Sequence, residues 1–180
     1  MARVFIIGAG ATRIGEHWDK SLRELATEAL LAAVRDAGVD KRDLEAVYVG
    51  NMSSGALQGQ EHLGSLIATW AGLAGVAAFK VEAACASGGA ALHQAFLAVA
   101  SGCYDCVAVV GVEKMTDALP HDVTASLVTA EDQEYVAFTG ATFVGLNALV
   151  YRAYMAKSVS YTHLRAHETR HDLVCRLLLE

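Results

Sequence analysis

The amino-acid sequence predicts an α/β fold built on a mostly parallel sheet with helices on both faces. Short segments that are nearly all apolar alternate with longer segments of helical spacing. Strands that are apolar on both sides are typical of a parallel sheet that is covered on each face. In such sheets the functional groups lie beyond the carboxyl ends of the strands.

The elements follow one another in a regular order along the chain. The predicted strands are Arg3–Gly8, Leu44–Gly50, Ala77–Ala83 and Cys106–Gly111. The predicted helices are Ser21–Asp36, His62–Leu73, the segment that follows Cys85, and Gly140–Lys157.

The helix that begins at Ser21 has the clearest signals. Ser21 and Glu24 form the pattern of a capping box, in which each side chain bonds the other residue's backbone N–H. Gly38 is placed to supply a left-handed C-terminal cap. The apolar positions follow helical spacing, at Leu22, Leu25, Ala26, Ala29, Leu30, Ala33 and Ala37.

The segment Val81–Leu92 places Cys85 at the junction between an apolar strand and a helix of small residues. Unpaired backbone N–H groups and the positive end of the helix dipole favour a thiolate at such a junction. Gly88 and Gly89 are expected to let the helix approach a neighbouring backbone. The helix is apolar nearly all round, so burial is expected, with Cys85 partly desolvated. The alternative for Cys85 is a small buried hydrophobic residue, as most free cysteines are.

The segment from Val81 to Asp117 resembles the nucleophile region of the thiolases, and more narrowly that of the archaeal-type acetyl-CoA acetyltransferases, close to the sterol-carrier-protein type. Three further segments fit the same group: Asn51–Gly55, Gly59–Gly64 and Phe138–Phe143. The resemblance runs from Met1 to about Lys157. It implies the N-terminal half of a thiolase fold, incomplete in this chain, with an α/β core over residues 1–117 and the truncated start of a lid-like insertion over residues 118–157.

The resemblance also implies a chemistry. Cys85 is the expected catalytic nucleophile, which attacks an acyl-CoA thioester before a Claisen condensation or, in reverse, thiolysis of a 3-ketoacyl-CoA. Met115, Phe138 and Thr139 are expected to line the acyl pocket, with ordinary core packing as the alternative for Met115 and Phe138. No cofactor is expected, because the coenzyme A thioester is the substrate. The histidine and second cysteine that thiolases use belong to the C-terminal half, so the chain by itself is expected to be inactive.

Other functions remain open at this point. A homodimer or tetramer is expected of the complete protein, and a complex with a downstream mevalonate-pathway enzyme follows by analogy. One alternative is a related condensing enzyme, a ketoacyl-ACP synthase or a hydroxymethylglutaryl-CoA synthase. Another is a non-catalytic, thiolase-like assembly subunit. The context of Ala84–Gly88 and Glu113–Met115 favours the thiolases.

The resemblance does not cover residues 158–180. Val159–Thr169 and the segment from Asp172 onward back-translate into sequences that resemble the two ends of a sequencing adapter. We therefore interpret this tail as translated adapter and exclude it from functional reasoning. The exclusion removes a tempting metal motif, the histidines at four-residue spacing His163, His167 and His171. No metal site is expected.

Composition excludes several classes of function. The net charge is −6 without a basic run, which gives no support to nucleic-acid binding. No charged-then-apolar leader precedes Val4, and no apolar run approaches the roughly 20 residues of a membrane helix, so a reduced cytoplasmic setting is expected.

Two weaker motifs give little support to any function. The pair Cys103 and Cys106 lacks the second pair that structural zinc needs, and it follows a helix end, not a helix start. Gly8–Gly15 resembles a dinucleotide-binding loop, but the helix begins too late and no acidic residue ends the second strand. Nicotinamide binding is therefore not expected.

Overall fold

A computed structural model describes residues 3–158, which form two compact units that divide between Ala130 and Glu131. The strands of the first unit are β1 (Ala46–Gly50), β2 (Ala77–Val81) and β3 (Val107–Gly111). Its helices are α1 (Leu22–Ala37), α2 (Ser54–Gln58), α3 (Leu63–Trp70), α4 (Ser87–Ala100) and α5 (Pro120–Val128). In the second unit, α6 (Phe143–Ser158) follows a short 3-10 turn, Ala137–Thr139.

The three strands form one parallel sheet in the order β2-β1-β3. The central strand β1 is buried along its whole length. Gly50, its last residue, pairs with Val81 on one side and with Gly111 on the other. The carboxyl ends of the strands are therefore level, and the predicted parallel α/β fold is confirmed.

Helices cover both faces of the sheet, as predicted. Alternate residues of a strand point to opposite faces. Val47 and Val49 belong to the core cluster that α1 and α3 complete, whereas Tyr48 belongs to a second cluster with Ala91 and Ala95 of α4. The sheet thus separates two small hydrophobic cores.

The two caps of α1 are those the sequence predicts, and the predicted helix Ser21–Asp36 is shifted by one residue to Leu22–Ala37. The Glu24 N–H donates to Ser21 Oγ at 3.4 Å, and the Ser21 N–H donates to Glu24 Oε2 at 2.7 Å. Gly38 ends the helix in the left-handed region, with φ of 67°, where glycine has no Cβ to clash.

The predicted strand Arg3–Gly8 is wrong: the segment has no regular secondary structure and belongs to no sheet. It lies along α1 instead, because Gly8 fits against the Ala33 carbonyl, where a Cβ would come within 2.6 Å of the oxygen. The Ala9 N–H donates to Asp36 Oδ2 at 2.9 Å. A strand requires a neighbour's hydrogen-bond ladder, and this segment is held by a helix.

The expected burial of α4 is also wrong for the described chain. Ala91 and Ala95 are buried against the sheet. The larger apolar side chains stay exposed, Leu92 by 48%, Phe96 by 47% and Leu97 by 46%. Only the small-residue face of α4 meets the sheet, and nothing within residues 3–158 covers the opposite face.

The other predicted helices are confirmed with shifted ends, since His62–Leu73 corresponds to α3 and Gly140–Lys157 to α6. Among the helices of residues 3–158, none combines the length and the apolar character needed to cross a bilayer.

Candidate active site

Cys85 lies between the end of β2 and the start of α4, as predicted. The chain leaves β2 after Val81 and makes one 3-10 turn, Ala84–Ala86, before α4 begins at Ser87. Cys85 is therefore beyond the carboxyl end of a strand and next to the N-terminus of a 14-residue helix. Its side chain is exposed, so the expected desolvation is wrong, and so is the alternative of a small buried hydrophobic residue.

The turn that carries Cys85 is strained. Ala84 has φ of 48°, a left-handed conformation that costs roughly 1–2 kcal/mol for a residue with a Cβ. The Ala84 N–H donates to Glu82 Oε1 at 2.5 Å. Residues in such conformations persist only where surrounding contacts hold them, and they cluster at functional sites.

Ser87 supplies two of those contacts. Its hydroxyl accepts a hydrogen bond from the Ala83 N–H at 2.9 Å and donates to the Ala84 carbonyl at 2.6 Å. Ser87 is only 5% exposed. The bonds span the strained residue, so one buried hydroxyl fixes both sides of the turn.

A glycine in the neighbouring strand lets α4 reach this position. A Cβ on Gly50 would lie 2.6 Å from the Ser87 carbonyl oxygen and 2.8 Å from the Gly88 Cα. The close approach expected at Gly88 is therefore present, but the residue that permits it is Gly50. A Cβ on Gly88 or Gly89 would meet nothing within 4 Å.

The loops after β1 and β3 are tied together by a carboxylate that sequence reasoning missed. Glu113 accepts hydrogen bonds from Asn51 Nδ2 at 2.9 Å and from the Met52 N–H at 3.1 Å. It also accepts from the Ser53 N–H at 3.3 Å. The buried Asn51 amide donates in addition to the Val112 carbonyl at 2.9 Å. A polar residue directly after the buried central strand was the signal that pointed to this contact.

Met115 lies in the loop that follows β3, and its side chain is half-buried. The preceding residue, Lys114, is buried and forms an ion pair with Asp117. Since the three strand ends are level and neighbouring strands are about 4.8 Å apart, Met115 and Cys85 follow the same edge of the sheet, two strands apart. A role for Met115 in an acyl pocket stays a prediction.

Phe138 and Thr139 lie in the second unit, on the 3-10 turn before α6. Phe138 is 74% exposed, so the alternative of core packing is not found within this unit. The Thr139 hydroxyl donates to the Val136 carbonyl at 2.7 Å. Substrate binding by these two residues stays a prediction.

The remaining motifs of the sequence do not form sites in the described chain. No three His, Cys, Asp or Glu side chains within residues 3–158 converge as metal ligands, and His163, His167 and His171 lie outside the described residues. Gly8 and Gly10 pack against the second half of α1 and not at a helix N-terminus, which is unlike a dinucleotide-binding loop.

Comparison with known proteins decides the family. The family model described as the thiolase N-terminal domain matches residues 4–163. The chain belongs to the thiolase family. The resemblance of the chain to the thiolases is thereby confirmed, and Cys85 lies within the matched domain.

Two archaeal relatives are similar over nearly all of this thiolase chain. The acetyl-CoA acetyltransferases of Methanothermobacter thermautotrophicus and Methanocaldococcus jannaschii are each 52% identical to it over 155 residues, which is 86% of the chain. The same match covers 40% and 39% of those proteins. The chain thus spans about two fifths of the length of the curated relatives.

A solved structure is similar to this chain in fold. The 3-oxoacyl-[acyl-carrier-protein] synthase III of Aquifex aeolicus superimposes with a TM-score of 0.52 at 24% identity, over 66% of this chain and 35% of that chain. At this identity the likeness concerns the fold alone.

Proposed function

We propose that this chain supplies the nucleophile of an acetyl-CoA acetyltransferase, with Cys85 as the residue that is acylated. The observation that carries the proposal is the placement of Cys85, exposed on a strained and hydrogen-bonded turn at the N-terminus of α4. The identity of 52% with two acetyl-CoA acetyltransferases supports the substrate class.

The proposed reaction has two acyl-transfer steps. The Cys85 thiolate attacks the thioester carbonyl of acetyl-CoA, and the tetrahedral intermediate expels coenzyme A as its thiolate, which leaves acetyl-Cys85. A second acetyl-CoA loses an α-proton, and its carbanion attacks acetyl-Cys85 to give acetoacetyl-CoA and the free Cys85 thiolate. Cysteine suits both steps, because a thiolate is a strong nucleophile near neutral pH and also a good leaving group.

The backbone N–H of Cys85 is the proposed oxyanion donor from this half of the enzyme. A donor that is fixed in advance and aimed at the developing charge is worth about 10²–10³ in kcat. The chemistry requires no cofactor, since the coenzyme A thioester itself carries the activated acyl group.

The proposal extends to partners and location. The complete protein is proposed to bind acyl-CoA, to form a homodimer or tetramer, and to function in the cytoplasm. A complex with a downstream mevalonate-pathway enzyme is the most distant of these proposals. The exposed apolar face of α4 supports association, because a large exposed apolar patch marks an interaction surface.

Thiolysis of acetoacetyl-CoA by the complete protein tests the proposal. We expect Cys85→Ala to abolish turnover and to prevent the mass increase of one acetyl group on acetyl-CoA incubation. Cys103→Ala is the matched control, because Cys103 is also exposed but follows α4, and it should keep wild-type turnover. Full activity in Cys85→Ala contradicts the proposal.

The 180-residue chain alone is proposed to be inactive. It spans about 40% of its relatives, and the proton transfers of the reaction need groups beyond the nucleophile. Measurable thiolysis by this chain, free of the complete protein, refutes that part of the proposal.

A further inference from the structure

The strained turn before α4 raises the question of what keeps Cys85 in one orientation. Cys85 is exposed, so packing does not fix it from the solvent side. Ala84, immediately before it, is in a left-handed conformation that relaxes unless its neighbours prevent it. The position of the nucleophile therefore depends on the hydrogen bonds of the turn.

We infer that Ser87 is a positioning residue that aims the backbone N–H of Cys85, and this inference rests on the proposed function. The Ser87 hydroxyl donates to the Ala84 carbonyl at 2.6 Å. That carbonyl and the Cys85 N–H belong to the same peptide group. Because a peptide group is planar and trans, holding its carbonyl towards Ser87 turns its N–H in the opposite direction.

The second bond of Ser87 closes the turn from the other side. The hydroxyl accepts from the Ala83 N–H at 2.9 Å, so Ser87 uses its donor and its acceptor on the two sides of Ala84. The side chain is buried, which keeps water from competing for these bonds. The Ala84 carbonyl also accepts from the Ser87 backbone N–H. Glu82 adds a further side-chain bond, from the Ala84 N–H to its Oε1 at 2.5 Å, but its side chain is exposed.

The other end of α4 offers a matched control. The Ser101 hydroxyl donates to the Ala98 carbonyl at 2.9 Å, which is the same three-residue spacing as the bond from Ser87 to Ala84. Ser101 has no strained residue before it and lies 16 positions from Cys85 along the chain. Removing each hydroxyl separates the loss of a serine-to-carbonyl bond from the loss of nucleophile positioning.

The test compares Ser87→Ala, Ser87→Thr and Ser101→Ala in the complete enzyme, with kcat and KM for acetoacetyl-CoA thiolysis as the readout. We expect Ser87→Ala to lower kcat by about tenfold or more, because a small misplacement of a reacting group is costly, while KM changes little. Ser87→Thr keeps both hydrogen bonds and should restore kcat, and Ser101→Ala should match the wild type. A residue with a merely structural role lowers stability without this split between kcat and KM.

The rate of Cys85 acetylation distinguishes failure of the inference from failure of the proposed function. If the wild-type enzyme is not acetylated on Cys85, the proposed function fails. If it is acetylated and a folded Ser87→Ala variant is acetylated equally fast, only the positioning role is overturned. Should Ser87→Ala lose its cooperative unfolding transition, Ser87→Cys decides, because it fills the same space with a group that is only a weak hydrogen-bond donor and acceptor. Wild-type kcat in a folded Ser87→Cys variant would overturn the inference.

Discussion

The two ends of α4 carry cysteines in opposite surroundings. Cys85 precedes the N-terminus, whereas Cys103 and Cys106 follow the C-terminus. Cys85 and Cys103 are both exposed, so exposure does not distinguish them. The helix dipole does, because it favours a negative charge at the N-terminus and disfavours one at the C-terminus, by roughly 0.3–1 kcal/mol each.

The backbone around the two ends strengthens the difference. At the C-terminal end, the N–H groups of Asp105 and Cys106 donate to the Glu45 carboxylate, at 2.5 Å and 3.3 Å. Burial, and then the negative charges of Asp43 and Glu45, raises the pKa of the Cys106 thiol. The direction of the helix and the neighbouring charges thus make the two ends of α4 different environments for a thiol.

The largest effect is expected from a substitution beside the N-terminal end of α4. Gly50→Ala should destabilise the protein by about 2–3 kcal/mol, because the new Cβ would overlap backbone atoms that cannot rotate away. The displaced turn should also move Cys85 away from the N-terminus of α4, so the ratio of Cys85 to Cys103 alkylation by iodoacetamide should fall towards one. Urea unfolding and peptide mass spectrometry measure the two effects.

Gly111→Ala is the control for that variant. It also lies at the end of a strand beside α4, but its Cβ would be 4.0 Å from the Gly88 Cα, an ordinary contact. Stability of Gly50→Ala equal to that of Gly111→Ala would show that the close approach of α4 to β1 is not required.

A smaller effect is expected for Cys106, at the C-terminal end of α4. Since the pKa of Cys106 is raised, its alkylation rate should climb at higher pH in the folded protein than in the unfolded chain. As pH rises, the Cys106 thiol loses its proton in the unfolded chain before it does so in the folded protein. The free energy of unfolding therefore falls as pH rises from the pKa of the unfolded state through that of the folded state. Asp43→Asn removes one of the responsible charges and should move the Cys106 rate profile to lower pH. An unchanged profile argues against that cause.

The smallest effect is expected in α1, away from both ends of α4. Ser21→Ala removes the capping box of α1 and should cost about 1 kcal/mol of stability. Its cap is distant in sequence from the Cys85 turn, so the alkylation ratio of Cys85 to Cys103 should not change. A changed ratio would mean that the ratio reports general loosening of the fold.

Features that depend on residues close together in the sequence could be predicted. The capping box of Ser21 and Glu24, the helical spacing of α1 and three of the four predicted apolar strands are local patterns that the structure confirms. The position of Cys85 between a strand and a helix was predictable for the same reason. The assignment of the chain to the thiolase family rested on a specific sequence motif and not on the spacing of apolar residues alone.

The wrong predictions concern the surface that a segment packs against. A local sequence pattern holds no information about that surface. Arg3–Gly8 is as apolar as the true strands, but it packs on α1 and pairs with no strand. The apolar residues of α4 predicted burial, yet burial of Leu92 and Phe96 depends on a surface that residues 3–158 do not supply. The strain at Ala84 was not predictable, because alanine carries no signal for a positive φ.

The contact between Gly50 and Ser87 has a consequence for protein engineering. Cys85 lies on the turn after β2 and Gly50 ends the neighbouring strand β1, 35 positions away in the sequence. A designer who transplants the segment 82–89 into another parallel α/β scaffold transfers the cysteine, the strained alanine and the serine, but not the space that they occupy. The recipient must also carry glycine at the last position of the adjacent strand, or the grafted helix will be forced away from its sheet.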